Sequence, residues 1–175
     1  HLLAAMILLI YTYWQYLRFT INNNTQKNHI SKHFSLFILI LLLLQISYGA
    51  FTAGLNAGYA YNTFPLMNGH ILPIEFFSKS SLIENIFYEP YTIQFFHRLM
   101  GMMLFGISCY LISINVKSKH TNILRSTEVQ FSFVVLLQFL LGVSTLILKV
   151  PFYLAIAHQI CACFVLILSV KIFYN

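Results

Sequence analysis

Charge is scarce in this chain. Lys and Arg total 10 and the acids 4, so charged residues make up 8% of 175. A soluble domain carries about a quarter, which excludes an ordinary soluble globular protein. The 59% hydrophobic content and the mean hydropathy of +0.77 point to a membrane protein instead. Cysteine is scarce too. Cys109, Cys161 and Cys163 all lie in apolar runs, so there is no loop framework for disulfides. Cys161 and Cys163 stand about 200° apart around a helix, a poor arrangement for sharing a metal; they read as small buried apolar residues. The start of the chain has little charge. The first residue is His and no charged n-region precedes the first apolar run, so that run is not a signal peptide. The chain is expected to be a fragment whose N-terminal part is missing.

Aromatic residues are abundant. The 17 Phe and 11 Tyr suit lipid-facing and interfacial surfaces. The net charge of +6 would suggest nucleic acid as the partner of a soluble protein. Here it reads as the cytoplasmic excess of Lys and Arg, and no nucleic-acid partner is expected. Five apolar runs, 1–17, 34–53, 92–115, 129–148 and 152–173, have the length of membrane spans. The first ends in Tyr11, Tyr13, Trp14 and Tyr16, an interfacial belt, followed by Arg18. His29 and His33 are four apart in the Asn-rich loop that follows, but with no third ligand they read as part of a solvated basic loop. The 18–33 loop carries Arg18, Lys27 and Lys32, and the 116–127 loop carries Lys117, Lys119 and Arg125. The long 55–91 loop has only Lys79, and the turn after Leu148 only Lys149. By the positive-inside rule the first two loops are cytoplasmic and the long loop faces outside.

Two spans carry a histidine. His97 follows Phe95-Phe96 and precedes Arg98; His158 follows Ile156-Ala157 and precedes Gln159. Ionisable groups inside a membrane are costly and usually functional. Both spans enter from the outside, which places His97 roughly 8 Å and His158 roughly 10 Å along their helices. Two imidazoles at one depth can hold a haem between facing helices. Gly101, Ala155 and Ala162 would leave room for a flat macrocycle, and the Arg98 guanidinium suits a propionate. The alternative is that each histidine hydrogen-bonds a carbonyl or a glutamine while Arg98 snorkels to the headgroups. His1 heads the first span, towards the same side.

The motifs add a resemblance. Gly49-Ala50-Phe51-Thr52-Ala53-Gly54-Leu55-Asn56-Ala57-Gly58 and Tyr61-Asn62-Thr63-Phe64-Pro65-Leu66-Met67-Asn68-Gly69 resemble the haem A synthase family, in its alphaproteobacterial and mitochondrial branch. Glu84-Asn85, Gln94-Phe95-Phe96-His97-Arg98, Gly142-Val143-Ser144, Val150-Pro151 and Ala157-His158-Gln159 continue it in order, and His1-Leu2 with Ala4-Ala5 resembles the head of the family's fourth span. The resemblance implies an all-α integral membrane protein with five transmembrane helices, the last four forming a haem-binding four-helix bundle. Residues 1–17 would then belong to the truncated N-terminal bundle, 18–33 would be a cytoplasmic loop, and 34–175 the haem b bundle with its outer loop 55–91. It implies oxidation of a methyl group of haem O to a formyl group, by successive hydroxylations, to make haem A for terminal oxidases. His97 and His158 would be the axial ligands of haem b, Arg98 a propionate contact, and His1 a ligand on the substrate-haem side. The resemblance puts a catalytic glutamate in the missing part, so no catalytic acid or base is assigned here. Haem O, membrane lipid, haem O synthase, an electron acceptor and a homo-oligomeric copy are the implied partners. The implied location is the bacterial inner membrane, or the mitochondrial one in a eukaryote. Two other classes fit the residues: a b-type cytochrome subunit that only transfers electrons, and a cofactor-free transporter or assembly factor.

Overall fold

The computed structural model describes all residues except 1, 21–28, 78–80 and 118–122. It contains α1 (Leu2–Thr20), α2 (Lys32–Gly54), a short α3 (Leu82–Tyr88), α4 (Pro90–Lys117), α5 (Thr127–Ile147) and α6 (Phe152–Tyr174). Among the described residues there is no β-strand. The five long helices have 19, 23, 28, 21 and 23 residues, each long and apolar enough to cross a membrane. This is a multi-pass, all-helical membrane protein.

The helix ends follow local chemistry. Ser31 caps α2 by accepting the Phe34 N–H at 3.2 Å, supplying one of the orphan donors of the first turn with an acceptor. Pro90 starts α4, where a missing N–H costs nothing, and Pro151 precedes α6. Asn56, at φ 54°, turns the chain out of α2, a conformation asparagine tolerates.

The long helices pack in a ring. α2 lies against α4, α4 against α5, α5 against α6, and α6 returns to α2. Ile38, Leu41 and Leu42 of α2, Leu104 and Leu111 of α4, Phe131 and Val135 of α5, and Val165 and Leu166 of α6 form the buried centre. α1 packs mainly on α6, where Trp14 meets Tyr174 edge-on at 5.0 Å. Most of its surface stays open: of its residues only Met6 and Leu17 are buried.

The connection from α2 to α4 is folded rather than slack. It contains helical turns at Ala57–Tyr59 and Ile74–Phe77 as well as α3. Asn68 and Gly69, at φ 49° and 90°, form a two-residue turn. Met67 and His70 close it, each donating to the other's carbonyl at 2.8 and 3.1 Å, as a left-handed Asn-Gly pair permits. The segment seats on the α5–α6 turn. The Asn62 amide donates to Leu146 O at 2.9 Å, and a Cβ on Gly58 would meet Val150 Cγ2 at 2.9 Å.

At the far end of the ring one carboxylate gathers three segments. Glu128, 1% exposed, accepts the His29 N–H on Oε1 at 2.6 Å. Its Oε2 accepts Asn115 Nδ2 at 2.9 Å and the Ser126 hydroxyl at 3.2 Å. Removing a buried hydrogen-bonded acceptor costs about 1–3 kcal/mol. Glu128→Ala should therefore lower the thermal midpoint in detergent, with Glu128→Gln recovering part of the loss. An unchanged midpoint for Glu128→Ala would mean that this carboxylate does not hold the end together.

Candidate paired-histidine site

The ring places α4 and α6 diagonally, each flanked by α2 and α5. His97 lies seven residues into α4 and His158 six residues into α6, so both stand about 10 Å from the helix start. The two imidazoles stand at matching positions on the two diagonal helices. The structure thus places the two histidines singled out in the sequence at one level, on helices that enter from the same end.

Each imidazole sits in a matching setting. His97 lies over Gly49 of α2, where a Cβ would meet its Cε1 at 3.1 Å. His158 lies over Gly142 of α5, where a Cβ would meet Cε1 at 2.9 Å. One turn before each glycine stands a glutamine. Gln45 Nε2 is 3.5 Å from His97 Nε2, and Gln138 Nε2 is 3.2 Å from His158 Nε2. The remaining atoms are left without partners in the same way in both halves: His97 Nδ1 and Gln45 Oε1, His158 Nδ1 and Gln138 Oε1 are buried and unbonded. Buried polar atoms normally find partners, so two unpartnered imidazole nitrogens, one on each of two diagonal helices, suit a metal-centred ligand. Among the described residues no group of three or more His, Cys, Asp or Glu could hold a bare ion. Haem needs only two, because the macrocycle supplies the other four ligands.

The glutamines and their glycines are what sequence reasoning missed as a site. Its signal is present: Gln-x3-Gly occurs at Gln45–Gly49 and again at Gln138–Gly142, each on the helix preceding a histidine helix. The room expected from Gly101 belongs to Gln45, whose amide lies 3.4 Å from a Cβ built there. His1 lies outside the described residues.

Arg98 reaches the outer connection. Its Nη2 donates to Tyr61 O at 2.6 Å and its Nη1 to Thr63 O at 2.8 Å. Gln94 also donates to Tyr61 O, at 3.0 Å. Arg98 Nε is buried and unbonded. The Tyr61 hydroxyl donates to the Glu75 carboxylate; burial first, and then that carboxylate, push the phenol up to about 12. It therefore remains a protonated donor throughout the physiological range.

Fold and site define a multi-pass helical membrane protein with a paired-imidazole site between diagonal helices. Residues 1–170 match the model of a family described as cytochrome oxidase assembly protein. Proteins named heme A synthase are similar over most of the chain: one from Wolbachia of Brugia malayi is 37% identical over 162 residues, 91% of this chain and 46% of its own. The Wolbachia pipientis wMel protein is 38% identical over 91% of this chain and 45% of its own. That of Bartonella tribocorum is 33% identical over 97% and 48%. The chain belongs to this haem A synthase family of cytochrome oxidase assembly proteins. It spans about half the length of the curated relatives it matches. No solved structure matches it.

The Arg98 fork makes a specific expectation for the outer connection. Arg98→Leu should raise amide hydrogen exchange at Tyr61 to Thr63 by on the order of tenfold, the effect of losing about 1.4 kcal/mol of local stability. The Ile38–Leu42 stretch of α2 should stay protected. Unchanged exchange at Tyr61 to Thr63 would mean that the connection is held without this side chain.

Proposed function

We propose that the protein to which this chain belongs oxidises a methyl group of haem O to a formyl group, making haem A, and that 34–175 form the four-helix bundle that carries its haem b. The observation that carries the reading is the diagonal histidine pair, each ring in a glycine cradle with one buried nitrogen free. His97 and His158 are the proposed axial ligands. Gly49 and Gly142 let each ring approach the neighbouring helix. Arg98 is the proposed propionate contact, and its unbonded buried Nε supports a further acceptor close by. When bound, haem b would supply one-electron transfer, its two imidazoles leaving no open position for oxygen. The residues of this chain bind and orient it, exclude water, and hold the outer connection above it through Tyr61 and Thr63.

Residues 1–17 are assigned to the neighbouring, substrate-side bundle, with His1 as the proposed substrate-haem residue. The packing of α1 outside the ring, on α6, supports that assignment. Haem O is the substrate, and haem O synthase and an electron acceptor are the proposed partners in the bacterial inner membrane. The 55–91 connection is placed outside and the 18–33 and 116–127 loops in the cytoplasm, on the strength of their Lys and Arg content.

Two measurements test this. In the full-length protein, His97→Ala or His158→Ala should each abolish the low-spin haem b spectrum. Gly142→Ala, which drives a methyl against the His158 ring, should weaken haem retention on the order of tenfold, as loss of ligand support typically does. Full b-type absorbance in both alanine variants would overturn the ligand pair, and absence of haem O conversion by the haem-loaded wild type would overturn the activity. For topology, an impermeant thiol reagent applied from the outside should label Ile71→Cys and spare Leu124→Cys; both side chains are well exposed, 78% and 71%. The opposite labelling would invert the assignment.

A further inference from the structure

The ring repeats one device. Gln45 and Gly49 on α2 face His97 on α4; Gln138 and Gly142 on α5 face His158 on α6. The spacing within each helix is the same four residues, so glutamine and glycine lie one turn apart on one face. The donor helix precedes the histidine helix in both halves. Among the described residues, each glutamine is the single side chain hydrogen-bonded to its histidine, at 3.5 and 3.2 Å. Each leaves its own Oε1 buried and unbonded, as each histidine leaves one ring nitrogen. Elsewhere in the spans, polar side chains such as Ser47, Ser108 and Thr145 donate to a carbonyl of their own helix. These two glutamines reach across to another helix instead.

We propose that Gln45 and Gln138 are positioning residues for the two ligand imidazoles, each fixing ring orientation and proton placement from its neighbouring helix. The inference rests on the haem-ligand reading of His97 and His158. A neutral imidazole gives one nitrogen to a metal and keeps a proton on the other, and a partner for that N–H holds the tautomer and makes the ring a better donor. An amide serves this role through its oxygen. Turned to present Oε1, it accepts the ring N–H and satisfies its own orphaned oxygen in the same contact. The metal-facing nitrogen is then the one left free. The two halves thus support the two ligands equivalently, and the pair should share control of the iron's potential.

The test uses the full-length protein with haem b bound. The readouts are the haem midpoint potential and the electron paramagnetic resonance of the ferric state. Gln45→Met and Gln138→Met remove the amide at nearly constant volume. Each should raise the potential, because a less basic imidazole stabilises ferric iron less, and the double variant should raise it further. Gln45→Glu and Gln138→Glu offer a stronger acceptor and should lower it. Gln130→Met serves as the control; its amide is exposed and donates to Leu124 O, and its potential should match wild type. Methionine and glutamate variants that retain haem at the wild-type potential, or that shift it in the same direction, overturn the proposal. If the methionine variants lose haem, the glutamate variants decide: retention with a lowered potential supports the role, and loss there as well overturns it. Loss of the low-spin signal in His97→Ala is a separate result that bears on the ligand reading alone, so the two failures can be told apart.

Discussion

In hydrocarbon a polar atom has no water to turn to, so its partners must come from the protein or from something bound to it. That constraint is met along most of this chain by donation to the preceding helical turn, and at the far end by the Glu128 carboxylate. It is left unmet chiefly in one neighbourhood. Of nine buried side-chain atoms without a partner among the described residues, six belong to His97, His158, Gln45, Gln138, Gln94 and Arg98. This much unsatisfied polarity at one level suits a bound group that supplies the missing partners. Two imidazoles, three amides and a guanidinium match a haem, with its iron and propionates, better than they match a bare cation.

The ring of helices makes the pairing available. His97 and His158 sit on the two helices that do not flank one another, so the rings approach from opposite sides of the interior. The neighbouring helices, α2 and α5, contribute a glycine where the ring needs space and a glutamine where it needs a partner. A side chain in place of either glycine would collide with an imidazole. Above the pair, Arg98 and Gln94 hold Tyr61 O, Asn62 fastens to the end of α5, and Gly58 packs on Val150. The outer connection is thereby tied to the helices that carry the histidines.

The five spans were legible because an apolar run of membrane length is rarely anything but a span. Their ends were less so. The 34–53 run becomes Lys32–Gly54 because Ser31 caps a first turn that tolerates Lys32 and His33. The 129–148 run becomes Thr127–Ile147 because Glu128, a charge that hides a helix in hydropathy, is buried and fully hydrogen-bonded. The 92–115 run begins at Pro90, a residue that suits the first helical position. The histidines stood out because charge-bearing groups are rare in such sequences. Gln45 and Gln138 did not, since a lone polar residue in a span says nothing of which helix it will face. Only packing shows that the two Gln-x3-Gly steps each meet a histidine. Arg98 was legible as a cation inside a span, but its hold on Tyr61 and Thr63 depends on backbone carbonyls in a connection whose course no periodicity reveals.

The central claim is that one iron is held by both cassettes of this ring. Pulsed electron paramagnetic resonance on the ferric full-length protein, grown with 15N-labelled histidine, reads it directly. Low-spin iron with hyperfine coupling to nitrogens of two histidine rings is the predicted result. High-spin iron in this bundle, or coupling to a single imidazole, would contradict it.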